Sequence, residues 1–378
     1  MANNVARSKR PVLKTIHTWV GIVSGAFLSV IALTGSVILF RAELERAALP
    51  KGAPAASRRV GLDEAAREIN RLRPDSHIRR VRLPLEAGAP YIFQVESAGK
   101  RTERIVSDAS SGRILGTLQP GWVDWTVDLH RNLLSGKSGR TAVGVAGIVL
   151  FALGATGLLM WLTGARNWRA WVSVRRAGST RRFNFELHRA SGLWAYAFLA
   201  VIAFTGIDLA FPDTFRQTAQ SLTGKPATVP GPKGIHADSM RPLDEYLRIA
   251  RRAMPDGVAV ELRLPAPGKG PVDLRLYRAG DLAPSGNHVY LHPATAAVVM
   301  VDRIVDRPIG ARFLAALSPI HYGQFGGIPI KAAWALLGLT PVLLFVTGLI
   351  AWWRPAKSKA SRPASEQTGS EDLALAGR

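Results

Sequence analysis

Four of the eight histidines in this 378-residue chain stand at positions that repeat. His130 and His321 each precede an apolar run, and the stretches 129–161 and 320–352 align without a gap. In that register Gly136 meets Gly327, Arg140 meets Lys331, Gly147 meets Gly338, Thr156-Gly157 meets Thr347-Gly348, and Trp161 meets Trp352. His17 and His188 open two further apolar runs that match each other in the same way. There Gly21 meets Gly192, Phe27 meets Phe198, Thr34-Gly35 meets Thr205-Gly206, and Phe40 meets Phe211. Hydrophobicity alone does not place histidine, glycine and tryptophan in one register, so the pattern reads as an internal duplication.

The chemistry open to such histidines is axial ligation. A b-type haem takes two imidazoles on opposite faces of a flat ring, within an apolar slot. His17 with His188, and His130 with His321, would hold two haems, the four histidines being the ligands of the iron. Thr34-Gly35 lies about 18 residues after His17, or roughly 27 Å along a helix, which is the depth of the other histidine pair. Gly35 and Gly206 are therefore expected beside the His130–His321 haem, and Gly157 and Gly348 beside the His17–His188 haem, leaving a porphyrin face unblocked. Arg131 and Arg189 each follow a ligand position and, with Lys14, would pair haem propionates. Each feature also has a plainer reading. Interfacial histidines anchor helices, small residues pack membrane helices, and Trp161, Trp352 and Trp353 suit the membrane interface. Gly21 and Gly25 form a GxxxG that serves either packing or haem room. His288 and His292, four apart in one expected strand, share a face there, and a surface role suits them best. Asp208 lines the exterior haem pocket or sits among headgroups.

The elements that must position these residues are membrane spans. Residues 19–40, 141–163, 190–211 and 332–353 are apolar runs of about 22 residues, and a span needs about 20. The first follows Arg7, Lys9, Arg10 and Lys14, but it is too long for a signal peptide and ends in no cleavage site, so it is expected to stay as an anchor. The loop between the second and third spans carries Arg166, Arg169, Arg175, Arg176, Arg181 and Arg182. Arg354, Lys357 and Lys359 follow the fourth. The positive-inside rule then puts both termini and that loop in the cytoplasm and the two long loops outside. The predicted fold class is a mainly α membrane protein, four spans in two parallel span–domain–span repeats with two small α+β exterior domains. The segments are 1–40, 41–128, 129–163, 164–187, 188–211, 212–319, 320–353 and a disordered tail, 354–378.

Within the exterior segments, helical periodicity predicts helices over 62–72 and 243–253. Alternation predicts strands over 77–83, 90–96 and 104–106, then 259–264, 272–277, 289–292 and 297–301. Leu62-Asp63-Glu64 matches Leu243-Asp244-Glu245, Pro74-Asp75 matches Pro255-Asp256, and Arg82-Leu83-Pro84 matches Arg263-Leu264-Pro265. The absence of cysteine rules out disulfides, thiolate metal sites, iron–sulfur clusters and covalently attached c-type haem. The net charge of +22 suits anionic ligands, membrane lipid or simple solvation. Nothing in the pattern suggests nucleic acid, and no dinucleotide fingerprint or P-loop is present.

Leu129-His130-Arg131 with Gly136 and Gly139, Thr156-Gly157-Leu158 ahead of Trp161, and His17 with its GxxxG together resemble the PepSY-associated transmembrane-helix proteins, also called iron-regulated membrane proteins. Asp108 to Gly112 followed by Ile114 resembles the closing strand-turn of a PepSY domain. The resemblance covers about residues 10–355. It implies two PepSY-like periplasmic domains, an inner-membrane location, two b haems on His17, His130, His188 and His321, and reduction of a ferric siderophore. The second domain departs from the pattern, with His292-Pro293-Ala294-Thr295-Ala296 where an Asp and a Gly are expected. The expected function is electron transfer from a quinol or a cytoplasmic reductase to a ferric-siderophore or other ferric chelate, releasing Fe(II). A membrane-anchored, non-redox regulator of periplasmic peptidases is the alternative. A transporter ranks last, because no charge lies at mid-membrane.

Overall fold

The computed structural model describes residues 2–49, 60–85, 89–97, 102–164, 168–175, 179–226, 228–266, 268–282 and 286–353. In the first half the chain runs α1 (Ala2–Ile38), α2 (Arg41–Ala47), α3 (Leu62–Leu72), β1 (Ser76–Arg82), β2 (Tyr91–Ser97), β3 (Glu103–Ser107), β4 (Ile114–Leu118), α4 (Trp122–Asn132) and α5 (Gly136–Gly164). After α6 (Trp168–Val172) the second half runs α7 (Thr180–Ala210), α8 (Pro212–Thr223), α9 (Leu243–Ala253), β5 (Gly257–Arg263), β6 (Val272–Arg278), β7 (Asn287–Leu291), β8 (Val298–Asp302), α10 (Ile309–His321), α11 (Gly327–Gly338) and α12 (Thr340–Trp353).

Among the described residues, four helical stretches are long and apolar enough to cross a membrane: Val12–Ile38, Gly136–Thr163, Thr180–Ala210 and Gly327–Trp353. Their outward faces expose Val23, Trp194 and Leu336. Apolar side chains turned outward along a whole helix are stable in lipid, where the helix satisfies its own backbone. The chain is therefore a multi-pass membrane protein. α1 packs against α5 and α12, and so does α7. Gly25 permits one of these contacts, since a Cβ there would lie 2.2 Å from Cδ2 of Phe345. Gly21 and Gly25 also line a cavity shared with His17 and His188. The fourth span is two helices, α11 and α12, meeting at Leu339. Pro341, without an N–H, stands in the first turn of α12, where no intrahelical donor is needed.

At one end of the bundle the strands form a single eight-stranded sheet in the order β4-β3-β2-β1-β5-β6-β7-β8. Two antiparallel meanders meet where β1 pairs with β5, with Arg80 opposite Arg263, Val81 opposite Leu262, and Arg82 opposite Glu261. One face of the sheet is apolar by alternation. Val81, Phe93, Leu262, Leu274 and Leu276 pack with Leu62 and Ile69 of α3 and Tyr246 and Leu247 of α9 in one core. The two helices also cap each other. The Asp63 carboxylate accepts from the backbone N–H of Leu243 (2.7 Å) and Asp244 (3.1 Å). The Asp244 carboxylate accepts from Leu62 (2.9 Å) and Asp63 (3.1 Å).

The other face of the sheet meets the bundle through charge. Arg104 of β3 bonds to Asp124 of α4 at 2.7 Å, and Arg82 reaches Glu45 of α2 at 3.4 Å. Lys331 of α11 bonds to Glu43 of α2 at 2.7 Å.

Helices α3 and α9 occupy the residues that periodicity predicts, and all seven predicted strands lie within a residue or two of their observed ends. The strand predicted at 104–106 is longer, Glu103–Ser107. β4 is not foreseen, because Gly116 and its neighbours give no clear alternation. Two small exterior domains were expected; the β1–β5 pairing joins their sheets into one. The short helices α2, α4, α8 and α10 are also additions, and α4 and α10 carry two of the four histidines. His292 lies beyond the end of β7, its Nδ1 accepting from the N–H of Ala294 at 3.3 Å, so it shares no strand face with His288. Arg166, Arg176, Arg354, Lys357, Lys359 and the tail 354–378 lie outside the described residues, as do the side chains of Arg7, Lys9 and Arg10.

Candidate functional site

The structure brings the four histidines together in two pairs. His130, near the end of α4, and His321, the last residue of α10, have ring centres 6.4 Å apart and planes tilted by 46°. This pair lies at the sheet end of the bundle. His17 of α1 and His188 of α7 lie at the far end, with ring centres 6.2 Å apart and planes at 89°.

Every one of these rings rests on a Thr-Gly pair of another helix. His130 Nδ1 is 2.9 Å from the Ile31 carbonyl and 3.4 Å from Thr34 Oγ1. His321 Nδ1 is 2.8 Å from Thr205 Oγ1. His17 Nδ1 is 2.9 Å from Thr156 Oγ1. His188 Nδ1 is 2.8 Å from the Leu344 carbonyl and 3.4 Å from Thr347 Oγ1. The adjoining glycine makes room for the ring. A Cβ on Gly35 would stand 2.8 Å from His130 Cε1, one on Gly206 3.3 Å from His321 Cε1, one on Gly348 3.1 Å from His188 Nδ1, and one on Gly157 3.6 Å from His17 Cε1.

This packing fixes the tautomer. Each threonine hydroxyl donates back to a carbonyl of its own helix: Thr34 to Val30 (2.7 Å), Thr156 to Ala152 (2.9 Å), Thr205 to Val201 (2.8 Å) and Thr347 to Leu343 (2.6 Å). The hydroxyl proton is thus committed, and the oxygen turns a lone pair to the imidazole. A carbonyl can only accept. All four Nδ1 atoms are therefore the N–H donors, and all four Nε2 atoms carry the free lone pair. Each pair offers two neutral nitrogen ligands and nothing more. Among the described residues no group of three or more His, Asp or Glu side chains forms a self-sufficient metal site.

Around the far pair lies a cavity of about 620 Å³. Its walls are apolar, with Leu28, Leu153, Tyr196, Phe345 and Trp161 among them. Lys14, Arg181 and Arg189 also line it. Arg189 donates to the Trp171 carbonyl at 3.2 Å and stacks over that indole at 4.9 Å. Arg131, its counterpart beside His130, is exposed on α4.

A family model described as the PepSY-associated TM region matches residues 14–354. The chain belongs to the PepSY-associated TM family. All four histidines and all four Thr-Gly pairs fall inside that match. The chain is also similar to the uncharacterized protein PA4219 of Pseudomonas aeruginosa, at 25% identity over 263 residues. That alignment covers 64% of this chain and 65% of the relative, just under two thirds of the relative's length.

The ten residues singled out from the sequence thus divide. Eight of them, the four histidines and Gly35, Gly157, Gly206 and Gly348, form the two clusters, with each glycine against the imidazole that its depth predicts. The glycines were expected to face a porphyrin; their nearest described neighbour is the histidine ring. Arg189 joins the far cavity, and Arg131 is exposed on α4 beside His130. The threonines' part was not foreseen. Their repetition before each glycine was visible, but the hydrogen bond they accept comes from another helix. His288 is held by Asp273, Nδ1 to Oδ1 at 2.8 Å, and stacks on Tyr290; it lies away from both pairs.

Proposed function

We propose that this PepSY-associated TM protein is a bacterial inner-membrane electron carrier with two b-type haems, and that it reduces a ferric chelate of the siderophore class in the periplasm. In this reading the two halves are parallel repeats, the joined sheet is a pair of PepSY-like domains, and the sheet end of the bundle is periplasmic.

The observation that carries the reading is the spacing within the two histidine pairs. An imidazole nitrogen sits about 2 Å from a transition metal it binds, and the ring centre about 1 Å further, so two rings on one metal are about 6 Å apart. The pairs stand at 6.2 and 6.4 Å. With only two nitrogens each, they suit a metal that brings its remaining ligands in a plane. When bound, two haems supply one-electron oxidation and reduction at two depths of the membrane.

The chain's own residues do the rest. The Thr-Gly pairs of α1, α5, α7 and α12 hold each Nδ1–H and so present Nε2. Outer hydrogen bonds of this kind orient a ligand and raise its basicity. The apolar walls of the far cavity exclude water. Lys14, Arg181 and Arg189 place cations where anionic propionates would be paired. The charged contacts from Arg82 and Arg104 to α2 and α4 hold the sheet over the His130–His321 pair. Each ferric ion takes one electron, so a quinol that gives two electrons and two protons serves two chelates; a cytoplasmic reductase would serve equally. Fe(II) leaves the chelator because it binds far less tightly.

The test uses haem-loaded protein in liposomes with a quinol in the bilayer, a ferric siderophore outside and an Fe(II) indicator. Fe(II) should accumulate with the intact protein and fall by about 100-fold or more in His130→Ala, the range of losing an essential group. Haem-loaded, quinol-reduced protein that passes no electron to any ferric chelate would remove the ferric-reductase reading and leave an electron carrier with another acceptor; a protein that takes up no haem would leave the peptidase regulator.

A further inference from the structure

The face of the eight-stranded sheet that meets the bundle carries a lattice of arginines at the joint between its halves. On β1, Arg80 and Arg82 point away from the apolar core, as do Arg263 on β5 and Arg275 on β6, since their neighbours Val81, Leu262 and Leu274 are the buried ones. Arg80 stands directly opposite Arg263 across the β1–β5 ladder. Like charges directly opposite destabilise a sheet, so this placement is not explained by stability. The only carboxylates in the ladder positions among them are Glu261 and Asp273. Glu261 is 3.7 Å from Arg80 and 3.8 Å from Arg275, and bonds closely to Arg263. Three guanidinium groups thus crowd Glu261, while Asp273, 3.5 Å from Arg275, also holds His288, and Arg82 turns to Glu45. Arg275 Nε is buried and makes no hydrogen bond. Burial, with Arg263, Arg275 and Arg82 close by, pulls the Arg80 guanidinium below its ordinary range despite the opposing pull of Glu261. The group is not sealed away: the side chains of Arg80 and Arg82 are 38% and 53% accessible.

Its extent suits a small ligand. Three adjacent strands are spanned by about 10 Å, and two residues along a strand by about 7 Å. Arginine forks bind carboxylates through two parallel hydrogen bonds. The lattice lies on the face that Arg82 and Arg104 turn toward α2 and α4, and α4 carries His130.

We propose that this arginine lattice is the docking site of the ferric chelate, and that it selects chelates of net negative charge that present carboxylate groups. This rests on the reductase reading above, which names the substrate class but not its place or charge.

The test separates binding from electron transfer by using gallium(III) citrate, which is anionic and is not reduced under these conditions. Calorimetry on the full-length protein in phosphatidylcholine nanodiscs would measure its affinity, with a cationic gallium trihydroxamate as control. The site predicts binding of the citrate complex, little binding of the cationic one, and at least about a tenfold loss in the Arg80→Gln Arg263→Gln variant. Arg80→Lys Arg263→Lys should retain part of the affinity. Glu261→Gln, which frees the guanidinium groups, should tighten binding, an effect that misfolding does not produce. Equal affinity in the Gln double variant, equal binding of the cationic complex, or no binding at all would overturn the proposal. So would loss of citrate binding in phosphatidylglycerol nanodiscs, since lipid headgroups would then be the occupant. Because gallium is inert, these outcomes stand apart from haem content and reductase activity: binding without haem would sink the reductase reading alone.

Discussion

At the scale of single residues, the account rests on a hydrogen bond whose direction is set by a second one. Thr156 Oγ1 donates to Ala152 and therefore accepts from His17 Nδ1. Thr156→Val keeps the volume and removes the acceptor. It should lower retention of the far-end haem by about 10–100-fold, the usual effect of losing an outer-shell partner, while Thr156→Ser restores it; haem loss to apomyoglobin measures both. The glycines should differ among themselves. Gly35→Ala would press a methyl to 2.8 Å from the His130 ring and should empty the sheet-end site, whereas Gly157→Ala, at 3.6 Å from His17, meets ordinary contact and should leave its haem in place. Haem counts on the two variants decide this. The sequence made these residues visible through register alone. It did not show what threonine does, because the imidazole it binds is more than 90 residues away along the chain in every case.

At the scale of elements, the sheet's halves are held by strand pairing and by two helices that cap each other. Each carboxylate accepts from two N–H groups at the start of the opposite helix. Loss of such a cap costs about 0.5–2 kcal/mol. Asp63→Ala and Asp244→Ala should each destabilise the sheet region by about that much, and the double variant by less than the sum, because the two caps share one interface. Urea unfolding followed by tryptophan fluorescence in detergent would read this. Both helices were legible from period and from their repeated Leu-Asp-Glu. Why that triplet repeats was not, since each aspartate serves the other half of the chain. β1 and β5 were likewise legible as strands. Their pairing was not, because nothing local in either one names a partner roughly 180 residues distant.

At the scale of the whole molecule, four apolar spans and the strands beyond them follow from hydropathy and alternation, and the proposed orientation follows from arginines in short loops. The chain has no cysteine, so single cysteines report topology cleanly. In intact cells, after access through the outer membrane, Ser110→Cys in the turn between β3 and β4 should react with a membrane-impermeant maleimide. Ser179→Cys, just before α7, should react only after the inner membrane is opened. The reverse pattern would invert the electron path. The central claim, two haems each held by a histidine pair, is tested most directly by the absorption spectrum of the purified protein, oxidised and dithionite-reduced, with a pyridine haemochrome count. The account predicts two b haems per chain, falling to one in His17→Ala and to one in His130→Ala. A colourless protein after expression with ample haem, or a count unchanged by both substitutions, would contradict it.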